Sequence, residues 1–397
     1  MEFTITKKAK NVTLLLIAVG LLLTIIGVVM GMKDDHFLTR LLSNGLINGF
    51  FFFALGLGAL FFLSLQYATE TGWYASVKRV IEAVAGYLPY GIGLFGLVLL
   101  IITFMDGAHI YIWMDPETVA NDEIIKEKSA YLNIPFFWIR TLVYFACYII
   151  FLREFRKRFL EEDKIGGIEL HFKNYKKGAL FLVFFAVFSS TSAWDWLMSI
   201  DVHWFSTLFG WYVFASWFVS GLSAITLIVL FLKGKGYLEM INENHVHDLG
   251  KFVFGFSIFW TYLWFSQFLL IYYANIPEET VYFVERLESD IYGPFVFVNL
   301  GLNFFLPFLV LMTRDAKRHG VFLKLVCTIL LVGHWIDFTL MVQPGTLGHN
   351  GGIGLLEVGM FLVYGSAVTF VVLGALAKRN LIAKNHPMLE ESYNHHI

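Results

Sequence analysis

NGLINGFFFFALGLGALFFLSL, residues 44 to 65, runs 22 positions without an ionisable side chain, and its apolar residues do not alternate with polar ones. A helix needs about 20 apolar residues to cross the hydrocarbon, whereas a barrel strand needs about 10 in strict alternation. The stretch therefore reads as a membrane helix, in which every backbone N–H and C=O is satisfied within the segment itself. The same test, carried outward, finds nine further spans: 12 to 32, 80 to 105, 134 to 152, 178 to 200, 204 to 232, 252 to 274, 292 to 312, 319 to 342 and 353 to 377. Composition agrees, with 57% hydrophobic, 18% aromatic and only 15% charged residues over a length of 397; soluble domains carry about 25% charge. The expected fold is an all-α polytopic membrane protein with ten transmembrane helices, residues 1–397 forming one integral membrane domain.

Lysine and arginine set the orientation. Placing Lys7, Lys8 and Lys10 in the cytoplasm also places there Lys78 and Arg79, the cluster from Arg153 to Lys177, Lys233, Lys235 and Lys251, the run from Arg314 to Lys324, and Lys378, Arg379 and Lys384. Only Lys33, Arg40, Lys126, Lys128 and Arg286 fall outside, so both termini are expected to be cytoplasmic. The first span lacks an A-x-A-like cleavage site and reads as a retained helix, not a signal peptide. The outer segments 106–133 and 275–291 are acidic and too short to be domains, and read as solvated loops or docking surfaces.

The chain offers little to a redox centre. Cys147 and Cys327 both lie within spans, and no C-x-x-C or C-x-x-C-H occurs, so iron–sulfur, zinc and covalent haem sites are not expected. Bis-histidine haem needs facing His pairs, and only His334 of twelve lies clearly within a span. The expectation is that this chain binds no metal or redox cofactor of its own. No P-loop, nucleophile elbow or nucleic-acid patch is present. Gly27/Gly31 and Gly45/Gly49 are small-x-x-x-small pairs for close helix approach, and Ser216, Ser220 and Ser223 are assigned the same packing role.

What stands out is a set of ionisable residues within the spans or at their mouths: Arg140, Asp195, His334, Asp337 and Glu357. Charge in hydrocarbon is costly enough to mark function by default. In the fifth span Thr191, Asp195 and Ser199 are four apart and predict one polar stripe. Arg140 on the antiparallel fourth span comes to a similar depth, which predicts an Arg140–Asp195 pair beside Trp138, Trp194 and Trp196. Such a pair reads either as a neutralised structural contact or as the polar end of a quinol headgroup pocket or proton path. In the ninth span His334 and Asp337 are three apart and share a face, reading as a relay or a structural contact. Asn299 and Asn303, with Gln267 as a weaker member, extend that hydrophilic line. At the outer mouth, Asp106, His109, Asp201 and His203 are candidates for a quinol site or a proton exit. Glu82 and Glu357 near span ends read as half-channel openings or solvated groups.

The fifth and ninth spans echo each other, with Trp near Asp followed by Leu-Met. This suggests a duplicated four-helix unit, residues 44–200 and 204–342, with the first and last spans peripheral.

Three strings carry a resemblance: AWDWLMSIDVHWFSTLFGWYVFASW (193–217), HDLGKFVFGFSIFWTYLWFSQFLLIYYANIPEET (247–280) and GHWIDFTLMVQPG (333–345). They resemble the polysulfide-reductase-type (NrfD-like) membrane subunits of bacterial alternative complex III, specifically the smaller of the two, over essentially the whole chain. The resemblance implies two four-helix bundles plus two peripheral helices. It also implies a place in the bacterial inner membrane within a respiratory quinol:cytochrome c or oxidase oxidoreductase. The implied partners are a larger paralogous membrane subunit, an iron–sulfur subunit and multihaem cytochrome c subunits, which would hold the iron–sulfur clusters and haem c. Asp195, His334 and Asp337 match positions that the family associates with a proton path, and quinol is the implied small molecule. A secondary transporter and a purely structural anchor are the competing classes. Pro89, Pro294 and Pro307 do not fall at corresponding places, against the broken-helix repeats of transporters.

Overall fold

A computed structural model describes residues 3–396 apart from 106, 108 and 109. Among these residues ten helices are long and apolar enough to span a membrane: α1 Lys7–Gly31, α2 Phe37–Ala68, α3 Lys78–Phe104, α4 Ile134–Ile165, α5 Ile168–Ile200, α6 Phe209–Gly234, α7 Glu243–Ala274, α8 Gly293–Leu311, α9 Gly320–Asn350 and α10 Leu355–Leu376. The chain is a multi-pass helical membrane protein. Several helices run past the apolar cores read from sequence, because polar first and last turns lengthen them into the interface. Local signals set those ends. Asn133 accepts from the Phe136 N–H at 2.9 Å just before Pro135. Asn242 and His245 form a capping box at the start of α7, which ends on Asn275 in the left-handed region at φ 47°.

α2 is the axis of the molecule. It packs against α3 and α5 on one side and α6 and α9 on the other, so the two halves of the chain meet along it. Where α2 crosses α6, a β-carbon on Gly58 would lie 3.5 Å from the Gly221 Cα, so the two glycines let the backbones touch. α1 is the most lipid-exposed helix and packs on α10, where a β-carbon on Gly27 would sit 2.6 Å from the Leu356 backbone nitrogen. The expected close approach at Gly27 is thus present. Gly31 instead faces Phe37 of the following turn.

Both termini lie at one end of the helices, here the terminal face. Phe3 packs edge-on against Tyr237 with centroids 5.3 Å apart, and the Asn242 amide donates to the His395 carbonyl at 2.9 Å. The far face carries residues 110–133 and 275–291, and these are not simple solvated loops. Pro277–Leu287 is a helix whose Tyr282, Phe283 and Arg286 are buried. In the other segment Trp113 and Ile125 are buried, and the Tyr111 hydroxyl donates to the Trp196 carbonyl at 2.7 Å. Apolar side chains at helical spacing within acidic runs fold these segments down as a cap.

Two helices are interrupted. α3 breaks at Gly86 and Tyr87, between Lys78–Ala85 and Leu88–Phe104. α8 widens into a π turn at Gly301–Phe305 just before Pro307, which has no N–H for the carbonyl one turn back. The breaks fall in the second helix of one half and the third of the other, so they are not equivalent positions.

Candidate functional site

α4 and α5 run antiparallel, which brings Arg140 against Asp195 as their depths predict. The pair is bidentate: Arg140 Nε donates to Asp195 Oδ2 and Nη2 to Oδ1, both at 2.8 Å. The Tyr144 hydroxyl donates to Oδ2 at 2.9 Å, and Arg140 Nη1 donates to the Tyr131 carbonyl at 3.0 Å. Asp195 is fully buried and Arg140 nearly so. The guanidinium carbon lies 3.8 and 4.3 Å from the ring centroids of Tyr131 and Phe136, which meet edge to face and form a corner around it. Planar charge, fixed fork and two faces of π density leave this arginine one arrangement.

The surroundings differ from the predicted stripe and tryptophan wall. The α-helical part of α5 ends at Trp196, and Met198–Ile200 is a 3₁₀ turn. Thr191 Oγ1 donates to the Val187 carbonyl and Ser199 Oγ to the Asp195 carbonyl, so both hydroxyls bond backbone. Trp196 turns into the core, donating to Thr141 Oγ1 at 3.0 Å with its ring against Phe50 and Phe95. Tyr131 and Phe136 supply the rings nearest the guanidinium, and of the expected tryptophans Trp196 stands against Tyr144 with centroids 5.7 Å apart.

The α9 site is built differently. Asp337 Oδ1 accepts from the Tyr212 hydroxyl in a short bond and from Asn299 Nδ2 at 2.8 Å. Oδ2 accepts from Ser216 Oγ at 2.5 Å and Trp260 Nε1 at 2.9 Å. Four neutral donors from α6, α7 and α8 thus converge on one fully buried carboxylate. Ser216 is a ligand of that carboxylate, not a packing residue, because its position on α6 faces α9 across the core. Asn303 Nδ2 donates to Asn299 Oδ1 at 2.5 Å, extending the line as expected. His334 Nδ1 lies 3.8 Å from Asp337 Oδ2, within ion-pair range but beyond a hydrogen bond, and neither ring nitrogen has a hydrogen-bond partner among the described residues.

A cavity of about 20 Å³ open to water centres lies against this site, room for roughly one water. Tyr212 and Asn299 line it on the Asp337 side and Gln267 and Arg286 on the other. Arg286 is buried at 4% exposure within the far-face cap. It donates to Asp201 Oδ2 at 3.0 Å and to the Leu340 carbonyl at 2.9 Å, with its guanidinium carbon 3.3 Å from the Tyr282 ring centroid. Tyr282 in turn stacks on Trp204 at 3.9 Å. Sequence reading missed Arg286, and the one available signal was an apolar stripe, VYF and L, around it in an otherwise acidic segment.

Of the outer-mouth candidates, Asp201 and His203 are held by different partners. Asp201 belongs to Arg286. His203 is half-exposed and pairs with Asp122 at 2.7 Å, where the Ile125 N–H and then His203 hold the Asp122 carboxyl below the usual range. Asp106 and His109 lie outside the described residues. Glu357 is not a solvated group but fully buried, accepting from Arg40 Nε at 2.7 Å, Asn44 Nδ2 at 2.9 Å and the Gly354 N–H at 2.7 Å. Glu82 is likewise enclosed, against Arg79 at 2.7 Å.

Five acidic residues are buried among the described residues: Glu162, Asp195, Asp248, Asp337 and Glu357. Lys78, Arg140, Lys251 and Arg40 stand within 3 Å of Glu162, Asp195, Asp248 and Glu357 respectively. Among the described residues Asp337 alone of the five has no lysine or arginine within ion-pair distance. A lone carboxylate charge there costs several kcal/mol to bury. No family model matches this chain, and no curated protein matches it.

Proposed function

We propose that this chain is the smaller polysulfide-reductase-type membrane subunit of a bacterial respiratory quinol:cytochrome c or oxidase oxidoreductase, an alternative complex III. In this reading it sits in the inner membrane with the terminal face toward the cytoplasm and carries protons, while partner iron–sulfur and haem c subunits carry electrons. The observation that supports it is the buried Asp337 without a cation. Every quinol oxidised sheds two protons with its two electrons, and a carboxyl that gains and loses a proton inside the membrane is the group such a reaction needs.

The route follows the contacts. His334 closes by less than 1 Å to reach hydrogen-bond distance of Asp337 Oδ2. The Tyr212 hydroxyl bonds Oδ1 and lines the cavity, so a protonated Asp337 carboxyl gives its proton to the phenol oxygen as the Tyr212 hydroxyl turns and gives its own to water there, leaving the phenol neutral. Beyond that water, Gln267 and the Arg286–Asp201 pair lead to the far face. A cavity of about 20 Å³ does not admit a quinol ring or a transported solute, so these residues fit proton handling and not substrate binding. Asp195, clamped by Arg140, is assigned to holding α4 on α5; that clamped geometry is what favours the anchor reading for the first half of the chain.

The test is the assembled complex, purified with its haem-staining and iron–sulfur partners and reconstituted into vesicles. Because each quinol oxidised must shed its two protons, Asp337→Asn is expected to cut the coupled rates of quinol oxidation and proton release at least tenfold, and Asp195→Asn less than threefold, at matched quinol. Wild-type proton and electron rates in both variants would leave only an anchor. Failure of cytochrome and iron–sulfur subunits to co-purify would remove the complex assignment itself.

A further inference from the structure

The terminal face carries a groove that the proton route does not use. Two adjoining hollows of about 410 and 460 Å³ share Arg79, Lys378, Arg379 and Asn380. The first runs between α3, α4 and α10, and its wall is apolar, including Tyr90, Leu152, Phe370 and Val371. Tyr90 and Phe370 are 60% and 47% exposed on spans that face hydrocarbon, so the trough opens sideways to lipid. Gly374 forms part of it, and a β-carbon there would meet nothing within 4 Å.

The second hollow is a polar shelf under the segment 377–385, at the level where the spans end. Five cations line the two hollows, namely Arg79, Arg156, Lys378, Arg379 and Lys384, against the carboxylates of Glu82 and Asp163, leaving a net charge of +3. Arg79 bonds both carboxylates and Arg379 approaches Glu82 at 3.7 Å. Arg156, Lys378 and Lys384 have no carboxylate within 4 Å among the described residues. Burial, and beyond it the neighbouring Arg79 and Arg156, pull the Arg379 guanidinium below its ordinary value against the opposing pull of Glu82.

We propose that this groove binds an anionic phospholipid, its phosphate where the two hollows meet, between Lys378 and Arg379 of the shelf and Arg156 of the trough, and one acyl chain in the trough past Gly374. A trough opening to hydrocarbon and ending in excess positive charge at the interface has the same polarity profile as such a lipid, and basic pockets between membrane helices at that level recruit anionic headgroups. A free phosphate ion would use the shelf alone and leave the apolar wall irrelevant.

The discriminating measurement is native mass spectrometry of the full chain in neutral detergent, titrated with phosphatidylglycerol, phosphatidylcholine and inorganic phosphate. Phosphatidylglycerol is expected to bind at least tenfold tighter than phosphatidylcholine. Each of Arg156→Gln and Lys378→Gln should weaken phosphatidylglycerol about fivefold, with phosphatidylcholine unchanged. Gly374→Leu, which fills the trough without touching charge, should weaken both lipids. Equal affinity for the two lipids in the wild type overturns the proposal whether or not the variants fold. Displacement of phosphatidylglycerol by millimolar phosphate together with an inert Gly374→Leu overturns it as well, since the shelf would then be an ion site.

Discussion

Removing the cation of the Arg140–Asp195 pair should cost much more than removing the anion, and the asymmetry follows from where the two groups sit. At the 2.8 Å contact, opposite unit charges attract by about 6 kcal/mol at an effective dielectric of 20. Desolvation of both groups offsets most of this, so the intact pair contributes little net stability. Arg140→Gln leaves Asp195, fully buried, with only the Tyr144 hydroxyl, and an orphaned buried charge costs about 3–5 kcal/mol. Asp195→Asn leaves an arginine that keeps the Tyr131 carbonyl and two ring faces and sits near the far face, where its stem can carry the charge outward; about 1–3 kcal/mol is expected. The double variant Arg140→Gln/Asp195→Asn removes both charges and lets two amides bond, so it should be more stable than Arg140→Gln alone by about 2 kcal/mol. Reversible unfolding of the full chain in bicelles, read by steric trapping, measures all three. Equal costs for the two single variants, with a double variant equal to their sum, would refute the account of a trapped charge.

Further expectations concern the second site and the terminal face. At Asp337, the asparagine variant can keep its oxygen toward the donor-only Trp260 and point its amide nitrogen at Tyr212, whose hydroxyl accepts as well as donates, losing only the bond from Asn299 Nδ2, so about 1–3 kcal/mol is expected. Asp337→Ala strands Trp260 Nε1 and Asn299 Nδ2 and should cost at least about 2 kcal/mol more in the same unfolding assay. His386, outside the spans, is buried, and that burial, followed by Lys78, His171 and Arg79, pushes its imidazole down to about 2. The sign follows from linkage: the unfolded chain takes up a proton below about 6.5 that the folded chain refuses, so stability is full above that pH and falls as acid is added. His386→Gln should flatten the acid limb between pH 6.5 and 5 by up to about 1.4 kcal/mol per pH unit. An unchanged limb would mean that the imidazole protonates in place.

The transmembrane plan was legible because hydrocarbon imposes it locally: each span announces itself through its own unbroken apolar run, as residues 44 to 65 do, without reference to any other part of the chain. The helical registers of Asp195 and Arg140, of His334 and Asp337, and of Asn299 and Asn303 were equally local, set by 3.6 residues per turn and a common depth. Tertiary packing decided which carboxylate is left without a cation. Asp195 and Asp337 look alike in sequence, each near tryptophan and a Leu-Met pair, yet Arg140 faces one, while Tyr212, Ser216, Trp260 and Asn299 from three other helices face the other. Partners 317 and 85 residues apart, Arg40 with Glu357 and Arg286 with Asp201, leave no trace in either local pattern. A charge's cost in a membrane depends on what stands within a few ångströms of it, and that neighbourhood exists only once the helices have packed.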